Sequence, residues 1–367
     1  MQTHDLLNPV KLAQKELANR IAMAPLTRCR AGDGDVPQAI SATYYQQRAS
    51  AGLIITEATN ISASSCAFEK APGIYSRAQV QGWKAITDAV HEKGGHIYLQ
   101  LWHCGRVGAD AILNGAQPLS PSGINDDLDA LQVWGQMANG RYARIAATPS
   151  RQMTENEIQE TIKDYRNAAE NAIEAGFDGV EIHAANGYLP HQFMSPVLNK
   201  RTDRYGGDMD GRLMFVKEVT EAVLSVVDAS RVGVRISPYA AYNNSRDSEP
   251  DATATALANL FNSFELAYLH LADTNAWAGQ PDMLRLIAAV KPYFKGLLIG
   301  NGGITPDAAK KLVADGTLDM IAFGRQFLMN PDLPKRIAVG GPFNDPNPVG
   351  WYGGGGEGYI DYPSLQG

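Results

Sequence analysis

The chain has 367 residues, 44% hydrophobic and 19% charged, enough apolar material for one large α/β barrel or two average domains. A formal charge of −7 argues against a nucleic-acid partner, which shows as a basic face. No apolar run approaches the roughly 20 residues of a membrane span, and Met1 to Asp5 lack the basic and apolar parts of a signal peptide, so a cytoplasmic protein is expected.

Short strand-like runs alternate with longer helical ones along the chain. Ile21 to Ala24 reads as the first strand, and a helix around Ser41 to Ala51 leads to a second at Leu53 to Thr56. Trp83, Ile86, Ala89 and Val90 fall on one face of the next helix, and Ile97 to Leu101 follows as a strand. Residues 104–149 are the one long irregular stretch, expected to form a cap because structureless loops of that length are uncommon. Thr154 and Glu157 then make a capping box at the start of a helix. Its strand ends in Gly179 to Ile182, directly before His183.

Helices near Gly211 to Val227, Asp251 to Phe264 and Asp282 to Tyr293 separate strands at Val232 to Ile236, Tyr268 to Leu271 and Leu297 to Gly300. Thr305 with Pro306 marks another helix start, Met320 to Phe323 the last strand, and a final helix begins near Pro331. About eight strands with helices between them predict a single parallel (β/α)8 TIM barrel spanning 1–367. An open doubly wound sheet is the alternative. Gly353 to Gly358 fits the dinucleotide spacing literally, but no strand precedes it, so 340–367 reads as a segment over the barrel mouth. Cys29, Cys66 and Cys104 form no Cys-x-x-Cys pair and read as free thiols; no metal site is expected.

Polar residues gather at strand C-termini, where such barrels carry their active sites. They are Thr27, Gln100, His183, Asn186, Tyr188 and Arg235, with Asn301, Gly302, Gly303, Gly324 and Arg325 after the last two strands. Glycines beside a permanent cation in those two loops suit a phosphate, or else simply make tight turns. A flat polar cofactor would suit Thr27, Gln100 and Arg235, although Gln100 in a strand cap and Arg235 in an ion pair are plainer alternatives. His183 and Asn186 can donate to an oxygen gaining charge, and a phenol such as Tyr188 stays protonated at neutral pH. From the residues alone this remains a barrel with a phosphorylated cofactor.

The run from His183-Ala184-Ala185-Asn186-Gly187-Tyr188 to Pro196 resembles the old yellow enzyme family of FMN-dependent ene-reductases. So do Arg201 to Gly207, Met23 to Arg28, Gln100 to His103, Ala322 to Arg325 and Tyr352 to Gly355. The resemblance implies non-covalent FMN, NADPH or NADH as reductant, and reduction of activated alkenes: α,β-unsaturated carbonyls, maleimides and nitroalkenes. It implies substrate binding by His183 and Asn186, protonation by Tyr188, and a pocket bounded by Trp102 and Phe68. Ala24, Pro25, Thr27, Ala58, Gln100 and Arg235 would contact the flavin ring, and Gly302, Gly303, Gly324 and Arg325 its phosphate. Trp277 would lie in a loop that narrows the pocket. A nitrate-ester or nitroaromatic reductase and a flavin-binding protein without turnover are the alternatives. No stretch marks a subunit interface, so a monomer and a homodimer both fit.

Overall fold

A computed structural model describes residues 5–273, 275 and 281–365; Trp277 lies outside them. Eight parallel strands form the barrel: β1 (Ile21–Met23), β2 (Leu53–Ile55), β3 (Ile97–Trp102), β4 (Gly179–Ala184), β5 (Val232–Ile236), β6 (Tyr268–Ala272), β7 (Leu297–Asn301) and β8 (Met320–Phe323). Each pairs with the next, β8 pairs with β1, and no free edge remains in the ring. That closure excludes the open doubly wound sheet. The strands are legible as largely apolar runs because helices cover one face and the barrel interior the other, so nearly every strand residue is buried.

Helices follow each strand and start where the sequence supplies caps. The Thr154 hydroxyl accepts from the Glu157 N–H at 3.2 Å, and the Glu157 carboxylate accepts from the Thr154 N–H at 2.9 Å, opening Glu155–Glu174 as expected. Thr305 caps Pro306–Ala314 in the same way, its hydroxyl taking the Ala308 N–H. The first helix runs over Ala39–Gln46, shorter than its apolar pattern suggested. A five-residue helix, Arg325–Met329, begins directly after β8 and precedes the expected final helix at Leu333–Val339.

Two additions close the barrel's ends. A hairpin of Val10–Leu12 and Lys15–Leu17 packs Val10, Leu12 and Leu17 against the inward side chains Leu53, Ile55, Tyr98, Tyr268 and Ile299, forming a floor. At the other end, 104–149 is not structureless. It contains a hairpin of Val133–Gln136 and Tyr142–Ile145, and Leu119–Ser120 pairs with Arg151–Gln152. Leu131 and Val133 share a small second core with Phe68, Trp102, Cys104 and Tyr188. Arg201 ties this region to the barrel, donating to the carbonyls of Pro121 at 2.9 Å and Met153 at 2.6 Å.

Candidate active site

A cavity of about 540 Å3 opens at the C-terminal ends of the strands. Ala24, Pro25, Thr27, Ala58, Phe68, Gln100, His183, Asn186, Tyr188, Arg235, Gly302, Gly303, Gly324 and Arg325 all line it. Of the described residues expected from sequence to bound the site, only Trp102 is held off the wall. It is fully buried and meets the Tyr188 ring edge-on, with centroids 5.1 Å apart and an interplanar angle of 88°. Its place on β3 turns it into the second core, behind Tyr188 rather than beside it.

His183, the next-to-last residue of β4, is a neutral donor of fixed tautomer. The Ala185 N–H donates to its Nδ1 at 3.3 Å, so the ring proton sits on Nε2. Burial, and then the charge of Arg235, hold its pKa well below the usual 6.5. Asn186 adopts a left-handed backbone (φ 59°), a conformation asparagine tolerates, which lets the chain turn out of the strand. Its N–H donates to Ser237 Oγ at 2.8 Å and its carbonyl accepts from Asn243 Nδ2 at 2.9 Å. With the backbone held at both ends, the side-chain oxygen is left buried without a partner among the described residues.

The Tyr188 ring is wedged between Trp102 and His183, whose centroid lies 5.0 Å away. Its hydroxyl makes no hydrogen bond among the described residues. Burial, and then the nearby phenols of Tyr242 and Tyr352, raise its pKa well above 10, so it keeps its proton at any physiological pH. The following helix, Leu189–Met194, locks this turn down. Gln192 Nε2 donates to the carbonyls of Cys104 at 2.9 Å and Gly187 at 2.8 Å, joining the loops after β3 and β4.

Across the cavity, Arg235 Nη2 donates to Asn301 Oδ1 at 2.7 Å, and Asn301 Nδ2 donates to the Ala322 carbonyl at 2.8 Å. Arg235 Nε is buried and unpartnered, in a group that stays cationic. Gly302 has φ 146°, and a Cβ there would meet the Asp273 carbonyl oxygen at 2.6 Å, so this turn excludes every other residue. Arg325 is exposed at the rim and makes no hydrogen bond or ion pair among the described residues. Thr27, half-buried, also has no partner for its hydroxyl among the described residues. A fixed cation with a spare donor, a glycine turn, a free rim guanidinium and uncommitted polar atoms between them fit a flat anionic cofactor with a phosphate tail.

Sequence reasoning named Phe68 but missed the side chains that complete its part of the wall. Phe68, Trp134 and Tyr352 form an aromatic triad, with centroids 6.3 Å apart for Phe68 and Trp134, 5.8 Å for Phe68 and Tyr352, and 5.3 Å for Trp134 and Tyr352. Trp351 and Tyr242 also line the cavity. Arg28 holds the strap that carries Trp351 and Tyr352, donating to the carbonyls of Trp351, Gly350 and Gly358 at 3.0, 3.0 and 2.9 Å. Arg30 and Arg48 cap a stacked pair of Tyr359 and Tyr44, whose rings lie 4.1 Å apart, at the strap's far end. The three cysteines are buried and unpaired.

The sequence profile of the NADH:flavin oxidoreductase / NADH oxidase family matches residues 5–344. This chain belongs to that family. Among its relatives is 12-oxophytodienoate reductase 1 of Oryza sativa subsp. japonica, 41% identical over 98% of this chain and 93% of that protein. Among solved structures, morphinone reductase superposes with a TM-score of 0.95 at 41% identity, covering 99% of this chain and 97% of its own. The old yellow enzyme homologue from Zymomonas mobilis superposes with a TM-score of 0.92 at 38% identity, over 99% and 100%. As an old yellow enzyme family member, the protein is an FMN-dependent NAD(P)H oxidoreductase that reduces activated C=C bonds. Among the described residues, no helix is long and apolar enough to cross a membrane.

Proposed function

We propose that the cavity binds FMN and reduces an activated alkene held by His183 and Asn186, with Tyr188 as proton donor. The observation that carries this reading is the meeting, on one wall, of a neutral N–H donor, an amide and a phenol that cannot ionise near neutrality. When bound, FMN supplies the hydride, drawn from NADPH or NADH. The glycine turn at Gly302 and Gly303, with Gly324 and Arg325, would hold its phosphate. Thr27, Gln100 and Arg235, with the backbone at Ala24, Pro25 and Ala58, would hold its ring.

The chain's own residues do the rest. His183 Nε2–H and the Asn186 amide bind the carbonyl or nitro oxygen, stabilising charge that builds there as the β-carbon is reduced. His183 does so as a neutral ring: burial disfavours the imidazolium, Nδ1 already accepts from Ala185, and a neutral imidazole is too weak an acid to lose its Nε2 proton. The Tyr188 hydroxyl, which no described residue hydrogen-bonds, gives its proton to the α-carbon. Phe68, Trp134 and Tyr352 exclude water above the reacting bond. Trp102 supports Tyr188 from behind.

The same reading takes 1–367 as one domain, with 104–149 as a cap and 340–367 folded over the mouth. Trp134 from the first segment and Trp351 and Tyr352 from the second support it by lining the cavity. Three unpaired thiols support a cytoplasmic setting. The test is anaerobic: NADPH or NADH should bleach the yellow protein, and 2-cyclohexenone or N-ethylmaleimide should restore its colour. Protein that stays yellow with both nicotinamides binds flavin without this turnover. Colour restored by a nitrate ester but by no alkene would favour nitrate-ester reduction.

A further inference from the structure

One charge inside the barrel has no part in the reaction above. Glu181 lies in the interior of β4, fully buried, where barrels are ordinarily filled with branched apolar side chains. A carboxylate there is costly unless its oxygens are satisfied. They are: Gln100 Nε2 donates to Oε1 at 2.7 Å, and His270 Nδ1 and Tyr268 OH donate to Oε2 at 2.9 and 3.1 Å. Of these three donors only Gln100 reaches the cavity. The pairing of β3 with β4 sets Glu181 opposite Gln100, and that of β5 with β6 sets Arg235 opposite His270. The acid therefore sits level with Gln100 and two residues before His183, the β4 residue that pairs with Arg235.

We propose that Glu181 is a positioning residue for FMN, locking the Gln100 carboxamide with its oxygen toward the cavity and supplying the counter-charge to Arg235. The inference rests on the reading of this cavity as the FMN site. An ionised carboxylate only accepts hydrogen bonds, so the Gln100 nitrogen must face it. One N–H of Gln100 is thereby committed, leaving its oxygen and a single N–H for a ring edge. Glu181 also favours the charged form of Arg235 against the burial that opposes it.

Glu181→Gln tests both roles, because the new amide can donate to the Gln100 oxygen and so permits a flip, while one negative charge is lost. Apoprotein titrated with oxidised FMN, followed by flavin fluorescence, should show a dissociation constant about tenfold higher than wild type. Reduced FMN, richer in negative charge, should bind almost as before. That tenfold change in ratio moves the midpoint potential of bound FMN about 30 mV more positive for a two-electron couple. Glu181→Asp keeps the charge but draws it back from Gln100, so FMN binding should weaken while the potential stays at the wild-type value. A Glu181→Gln protein that melts earlier, yet binds FMN at unchanged affinity and potential, would show the carboxylate to be structural only and overturn the proposal. Should Glu181→Gln fail to fold, an unchanged FMN dissociation constant for Glu181→Asp overturns it equally. Wild-type protein that binds no FMN would overturn the cofactor reading and the proposal with it.

Discussion

Tyr188→Phe isolates a single proton. The substitution removes a hydroxyl that no described residue hydrogen-bonds, so no buried group loses a partner. The ring keeps its contacts with Trp102 at 5.1 Å and His183 at 5.0 Å, and stability should stay within about 1 kcal/mol of wild type. A positioned general acid contributes about 100- to 10,000-fold, or roughly 3–5 kcal/mol of barrier. Stopped-flow mixing should therefore show flavin reduction by NADPH unchanged and reoxidation by 2-cyclohexenone slowed by that factor. A nitrate ester, which needs no proton on carbon, should reoxidise the variant at the wild-type rate. In the wild-type enzyme, only the protonated phenol is competent, and its pKa is raised well above 10. Alkene reoxidation should thus be flat from pH 6 to 9, falling only as pH rises toward that higher value. If Tyr188→Phe reoxidises with the alkene within twofold of wild type, the proton comes from elsewhere and the assignment fails.

Other expectations follow from single contacts. Gly302→Ala forces a Cβ to 2.6 Å from the Asp273 carbonyl oxygen at a strained φ, whereas Gly324→Ala meets nothing nearer than Leu26 Cδ2 at 3.4 Å. The first should purify with little flavin by its ratio of visible to ultraviolet absorbance, and the second should stay yellow. His103 and His191 each accept a backbone N–H at Nδ1, and burial lowers their pKa values to about 3 and about 4. The unfolded chain takes up protons below its pKa of about 6.5 while the folded one does not, so stability is full above that pH and is lost as pH falls. The two together should cost about 4 kcal/mol between pH 7 and pH 5, read from urea midpoints; unchanged midpoints would mean they charge while folded. Arg28→Met strips the donors from three strap carbonyls, at a cost on the order of 3 kcal/mol. Chymotrypsin should then cut at Trp351 or Tyr352, which the wild-type fold resists.

Much of this site is legible in the sequence because two simple patterns coincide. Strands such as Val232–Ile236 are buried on both faces and read as apolar runs, and the first polar residues after such runs mark the barrel's working edge. His183, Asn186 and Tyr188 were found in that way, and so were the glycines after β7. Trp134 and Tyr352 carry no such mark. Trp134 sits in a four-residue strand inside the long inserted stretch and Tyr352 in irregular chain, and the two meet each other and Phe68 at the cavity. Glu181 did leave a signal, a lone carboxylate between Val180 and Ile182, whose burial demands partners that sequence cannot name. Trp102 shows the opposite failure. It ends a strand beside Gln100, yet its side chain turns to the second core, and strand position alone does not reveal which of two cores an aromatic ring will join.

The strap has a consequence for how the holoenzyme comes into being. Trp351 and Tyr352 finish a wall whose other parts lie upstream, and Arg28, donating to the carbonyls of Gly350, Trp351 and Gly358, joins this late-made chain to the loop after the first barrel strand. A ribosome will have synthesised every strand of the ring before this last panel exists. Flavin capture that depends on an enclosed pocket therefore waits until the strap has been made, and nascent chains arrested short of it should emerge colourless.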